Sequence, residues 1–179
     1  MRARLATALL AAALSMGWTA ASAAQPAPQP AGPAAHANAQ ELAPAALLGA
    51  WKADVAASSY AGEPPQANIR TFSFTQDGKV LVTSTTRNSK GRVAMLHWAV
   101  QLDGSPSPEF TDYNGSTPTN VVALRMADET TFNLTVWRHG KVTLTGVMKL
   151  SADGQTLTYT YGGEGRNNTI IYRKWDMAS

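Results

Sequence analysis

Beyond residue 68, apolar and polar side chains alternate with a period of two. Phe132, Leu134 and Val136 fall on one face, with Thr131, Asn133 and Thr135 on the other. Val142, Leu144, Gly146, Met148 and Leu150 oppose Lys141, Thr143, Thr145 and Lys149 in the same way. Leu157, Tyr159 and Tyr161 oppose Thr156, Thr158 and Thr160. Such a period, with threonine on the wet side, marks strands that bury one face and solvate the other. No sustained helical period runs through this region.

The turns between these runs carry the residues that tight hairpins need. Asp77-Gly78, Asn88 to Gly91, Asp103-Gly104, His139-Gly140 and Ser151 to Gly154 all supply glycine for positive φ. The pattern predicts strands over Ile69–Thr75, Lys79–Arg87, Arg92–Leu102, Val121–Met126, Thr130–Arg138, Lys141–Leu150, Gln155–Tyr161 and Asn168–Trp175. A first strand opens at Leu47-Leu48-Gly49-Ala50-Trp51-Lys52, preceded by a helical turn at Ala45–Leu48. Asp54 to Asn68, with Pro64-Pro65, reads as a loop or one short helix across a barrel mouth. Ser105 to Asn120 is the one long irregular connection, with a short strand near Glu109–Tyr113. The fold class is therefore all-β: an up-and-down antiparallel barrel of eight to ten strands, whose closure removes exposed edges. A two-sheet sandwich is the rival, but it needs more long crossovers than this chain offers.

The N-terminal stretch has a different character. Arg2 and Arg4 precede an apolar run from Leu5 to Met16, and Ala21-Ser22-Ala23 offers small residues at a cleavable spacing. That is the anatomy of a secretory signal peptide over residues 1–23. The apolar run is shorter than the roughly 20 residues that span a bilayer. Residues 24–46 are mostly Ala, Pro and Gln and are expected to form a disordered linker, His36 included. The barrel domain is then 47–176. The alanine bias resembles that of a bacterium with GC-rich coding, which makes the expected destination the periplasm or the medium, with no transmembrane segment in the mature chain.

Charge and composition narrow the chemistry. The formal charge is +3, from fifteen Lys and Arg against twelve Asp and Glu, and two of the basic residues sit in the leader. With no dense basic cluster, a nucleic-acid partner is not expected. Cysteine is absent, which excludes disulfides, thiolate metal sites and a thiol nucleophile.

The Gly49-x-Trp51 pair followed by a long meander resembles the lipocalin and fatty-acid-binding-protein superfamily. Leu48-Gly-x-Trp-Lys52, Ser151-Ala-Asp-Gly154, Thr156-Leu-Thr158 and Asn167-Asn168 through Tyr172 look like a group of small secreted bacterial lipocalin-like (calycin) barrels, mostly of unassigned function. The resemblance covers about residues 47–175. It implies that Gly49 and Trp51 close one barrel end, with a basic residue of the last strand over the indole; Arg173 and Lys174 both qualify. Such stacking is worth roughly 0.5–2 kcal/mol. Thr111-Asp112-Tyr113 matches a second lipocalin motif only by letters.

Candidate chemistry is sparse. The acidic residues sit mostly at turns, in no pairing suited to acid–base work. His97 is the one mid-strand histidine; facing a cavity it could ligate haem or move a proton, while an exposed or hydrogen-bonded strand histidine is the plainer expectation. Without cysteine or a second inward histidine, no metal site, cofactor or catalytic residue is expected. Phe72, Phe74, Met95, His97, Phe132, Met148, Tyr159 and Tyr161 are the candidate ligand-lining residues. In a barrel this small they either fill the interior or line a small-molecule cavity, a solid core being the default. The reading is an exported, non-catalytic barrel that binds a small apolar or amphipathic ligand. The alternative is an envelope protein-interaction or inhibitor module that uses the barrel as a rigid platform for Ser105 to Asn120.

Overall fold

Each strand of the alternating region pairs antiparallel with the strands beside it, and the last pairs with the first. The computed structural model describes residues 39–112, 117–118, 120–163 and 165–176. The strands are β1 (Gly49–Ala53), β2 (Ala67–Phe74), β3 (Val80–Arg87), β4 (Val93–Val100), β5 (Ser107–Thr111), β6 (Asn120–Asp128), β7 (Thr131–Arg138), β8 (Lys141–Leu150), β9 (Thr156–Gly163) and β10 (Arg166–Trp175). They follow chain order around one closed ring. Closure rests on β1, where Trp51 faces Lys174 of β10 on one side and Arg70 of β2 on the other. The architecture is thus a ten-stranded lipocalin-like barrel, and the sandwich alternative falls with the ring's closure.

The expected linker is structured at its end. A short helix, α1 (Ala39–Leu42), lies within it, and the helical turn expected at Ala45–Leu48 is a 3₁₀ turn at Ala45–Leu47. Ala39 and Leu47 are wholly buried, and the Ala39 N–H donates to Gln101 Oε1 at 3.0 Å. Composition predicts disorder there because it cannot see the apolar barrel floor against which these residues pack. The expected signal peptide, His36 and the rest of the linker lie outside the described residues, as do residues 113–116 and 119 of the irregular connection. β5 lies in the first half of that connection, at Ser107–Thr111 and not Glu109–Tyr113. Of the two forms expected, Asp54 to Gln66 takes the loop; it is pinned to β10 by Asp54 N–H to Ile171 O (2.8 Å) and by reciprocal Ser59–Thr169 bonds. β1 is only half as long as β10, and this loop extends its ladder toward the rim.

Turn chemistry explains the register. Thr75 and Ser151 each accept a backbone N–H from beyond their turn, from Lys79 and Thr156, both at 2.9 Å. Each hydroxyl also donates to the Asp two residues on, at 2.5 Å. The next residue is a glycine in the left-handed region, Gly78 (φ 77) or Gly154 (φ 67). Asp77, beside the Lys79 ammonium and the Thr75 hydroxyl, and Asp153, bonded by the Ser151 hydroxyl, are held below the usual carboxylate range. Although Asp77-Gly78-Lys79-Val80 and His139-Gly140-Lys141-Val142 read alike, the second turn is tighter. Both His139 (φ 50) and Gly140 (φ 76) adopt positive φ there, as a two-residue primed turn requires.

The closed end is packed solid. Trp51 and Tyr172 are fully buried, and Phe72, Val80, Leu124, Phe132, Met148 and Leu157 are at most 1% exposed. The indole Nε1 donates to Leu47 O at 2.8 Å, which fastens the 3₁₀ turn beneath the barrel. Burying side chains of this size stabilises by about 1.5–3 kcal/mol each before entropy is counted.

Candidate functional site

The other half of the interior is not filled. A cavity of about 390 Å³ extends from the middle of the barrel to the rim at Arg138 and Thr143. That volume is at the low end of the roughly 300–1,000 Å³ usual for small-molecule sites. Its wall is mixed: Leu96, Val122, Leu134 and Leu144 supply apolar surface, while Asn68, Arg70, Ser84 and Glu109 supply polar groups. Those last four are also the polar or charged residues buried among the described residues. Burying such groups is costly unless each finds a partner, so their meeting in one cavity is not a packing accident.

Arg70 forms the floor. Its β2 position, sharing parity with Asn68 and Phe72, points it inward, and it is 7% exposed. The guanidinium carbon lies 4.8 Å from the Tyr159 ring centre, 5.6 Å from that of Tyr172 and 5.7 Å from that of Trp98. Nη1 contacts Met148 Sδ at 3.6 Å. These rings and the sulfur stabilise the cation, each ring by about 0.5–2 kcal/mol, but none is a counter-ion. Among the described residues no carboxylate lies within the 4.0 Å of an ion pair with Arg70. Its Nε–H has no acceptor, and neither has the buried Trp98 Nε1–H. Two donors without acceptors therefore belong to residues that line one cavity floor. A buried, uncompensated guanidinium costs several kcal/mol, by rough account.

Higher in the wall the polarity reverses. Glu109 of β5 is buried, and its Oε1 accepts from Asn120 Nδ2 at 2.5 Å. Asn120 Oδ1 in turn accepts from Arg138 Nε at 3.0 Å, on the rim. On the opposite side Tyr172 donates to Asn68 Oδ1 at 2.8 Å, and Asn68 Nδ2 donates to Thr86 Oγ1 at 2.5 Å. That chain ties β10 to β2 and β3 above the short β1. Burial pushes the Tyr172 and Tyr161 phenols up, and drives that of Tyr159 far above its ordinary value despite the opposing pull of Arg70.

The sequence-predicted residues divide by parity. Tyr159 and Tyr161 line the cavity, their rings stacked with centres 4.6 Å apart. Phe72, Phe132 and Met148 point inward but belong to the packed end below it, and Phe74 is half-buried at the edge of the same core. Met95 and His97 face outward: Met95 is 49% exposed, and the His97 ring stacks on Phe110 on the outer wall at 5.4 Å. Their β4 neighbours Leu96 and Trp98 take the inward parity, so His97 has no cavity to serve. At the closed end Lys174, not Arg173, covers the Trp51 ring, at 4.4 Å from its centre. Arg173 points outward to Asp54 (3.4 Å) and Thr156 Oγ1 (2.9 Å).

Arg70, Trp98, Asn68 and Glu109 escaped the sequence reading. Arg70 leaves a trace: it is a basic residue that shares its face of β2 with Phe72 and Phe74. Glu109 had none, because β5 lies within a Pro/Gly-rich connection. Among the described residues no three His, Asp or Glu side chains cluster as a metal site would require.

Neither a protein-family model nor a curated protein matches the chain. Among solved structures, the crystal structure of the wild-type fluorescent protein UnaG is similar at 14% identity and a TM-score of 0.48, over 72% of this chain and 96% of that one.

Proposed function

We propose that the protein is an exported, non-catalytic barrel that holds one small amphipathic molecule in its interior. The observation that carries this reading is the asymmetry of the core: one end solid around Trp51, the other enclosing about 390 Å³ behind a mixed apolar and polar wall. A barrel meant only to be stable would fill that half with side chains, because empty or watery volume forfeits packing. Export is supported by the charged, apolar and small-residue sequence of residues 1–23. Native mass spectrometry of protein purified from its own host tests the reading. A bound small molecule, released on unfolding, is the expected result; consistently ligand-free spectra would speak against it.

One observation favours the second reading, an envelope interaction module. On the outer wall Val121 and Val142, 39% and 55% exposed, flank Trp137 in register across β6, β7 and β8. A contiguous exposed apolar row is a feature of docking surfaces. Replacing Val121 and Val142 by lysine would abolish a specific partner complex while leaving interior binding intact.

A further inference from the structure

We propose that the cavity selects a ligand bearing an acidic group, with Arg70 and the Trp98 indole N–H as its anion socket and Glu109 as a second pole that takes a donor group near the rim. This deepens, and rests on, the interior-binding reading above.

The argument starts from unmet demand. The Arg70 Nε–H and the Trp98 Nε1–H are buried donors without acceptors, on residues lining the same floor. Buried polar groups are nearly always paired, and an orphan calls for an explanation. Two orphan donors, one of them cationic, call for an acceptor that carries negative charge. Tyr159, Tyr172 and Met148 surround the guanidinium without neutralising it. Arg70 could have been met by a carboxylate of the barrel itself, and one is present: Glu109 lines the same cavity. It is instead bonded to Asn120, which Arg138 holds from outside. The opposite charges are thus kept apart, one at the floor and one in the wall toward the rim. A purely structural pair would gain by closing; a pair held open leaves both poles for a guest. The aromatic walls at Trp98, Tyr159 and Tyr161 favour a flat apolar body between those poles.

Two naphthalene dyes of nearly identical shape provide the test: anilinonaphthalene sulfonate, which is anionic, and phenylnaphthylamine, which is neutral. Both carry an N–H for Glu109. In the full-length protein the anionic dye is expected to bind at least about tenfold tighter, the worth of one charge-assisted hydrogen bond. Arg70→Met removes that preference while neutral-dye binding persists, and Arg70→Lys keeps part of it. Glu109→Gln weakens both dyes alike. Stability provides an independent readout. If Arg70 serves a ligand, Arg70→Met in the empty barrel leaves the unfolding midpoint unchanged or raised, since an isosteric apolar side chain replaces an uncompensated charge. A marked drop in midpoint in Arg70→Met, or an anion preference that survives it, overturns the assignment. Neutral and anionic dyes binding equally well to the unmutated protein would overturn the anion socket alone. Failure of both dyes to bind, with ligand-free native spectra, would overturn the interior-binding reading itself.

Discussion

The Lys174 ammonium lies 4.4 Å above the centre of the Trp51 ring and is bonded to two carbonyls that precede β1. It donates to Ala46 O at 2.7 Å and also to Leu48 O. One side chain thus fixes the indole, the 3₁₀ turn and the start of the first strand. Lys174→Met keeps the stem and loses all three contacts, and is expected to cost about 1–3 kcal/mol by urea denaturation. Arg173→Met, one residue earlier, loses only an exposed ion pair with Asp54 and a bond to Thr156. Its cost should stay within about 1 kcal/mol. Equal costs would show that Lys174 is not the closing residue.

Two glycines of the barrel wall permit close approach, with different consequences. A Cβ on Gly146 would meet Tyr159 Cε2 at 2.7 Å and Tyr161 Cβ at 2.8 Å. Gly146→Ala therefore displaces the stacked tyrosines, and Tyr159 from Arg70 with them, at about 1–3 kcal/mol. A Cβ on Gly163 would meet Thr143 O, a backbone atom, at 2.0 Å. No side-chain rotation relieves that clash, so Gly163→Ala is expected to be the more damaging, separating β8 from β9 at the rim. Denaturant midpoints of the two variants, with amide exchange along both strands, check the order.

How far the sequence revealed this barrel depended on the length and regularity of each strand. β7, β8 and β9 announce themselves, because six or more residues alternate in each and the turns that join them, at His139-Gly140 and Ser151 to Gly154, carry glycine where φ is positive. Trp51 declared its role through Gly49 and its place at the start. β5 shows itself only as a short strand near Glu109–Tyr113, because five residues among prolines and glycines give a period of two little room to register, and nothing in them marks Glu109 as inward-facing. The expected lining divides for a related reason. Size or ionisable character points to Met95 and His97, whereas burial in a strand is decided by parity, which Leu96 and Trp98 hold. Arg70 was on the right face, but it takes three-dimensional neighbours to show a cation without a counter-ion.

Asn68 bridges the barrel beside a short strand. β1 ends at Ala53, so above it β10 and β2 are joined through Tyr172 to Asn68 (2.8 Å) and Asn68 to Thr86 (2.5 Å). Asn68→Leu leaves the buried Tyr172 hydroxyl without its acceptor and should cost about 1–3 kcal/mol. The double variant Asn68→Leu with Tyr172→Phe removes both partners and should recover part of that loss. A double-mutant cycle on unfolding free energies measures the coupling; strictly additive costs would refute the link.

The tyrosines set the alkaline limit. Burial raises the phenols of Tyr159, Tyr161 and Tyr172 above the ordinary value of 10.0. A phenol raised in the folded state keeps its proton where the unfolded chain has released it. The stability this contributes is fully present below about pH 10 and is lost as pH climbs from there toward the raised folded values. Each fully buried phenol should steepen the loss by up to about 1.4 kcal/mol per pH unit. Tyr159 and Tyr172 are buried, at 4% and 0% exposure, and carry most of the effect. Tyr161 is only half-buried and contributes less. Tyr159→Phe should therefore flatten the decline in unfolding free energy above pH 10 relative to the unmutated protein. The phenolate absorbance that Tyr159→Phe removes should appear together with unfolding, not before it. Phenolate absorbance from Tyr159 in a still-folded barrel would show that its phenol is reached by solvent through the cavity.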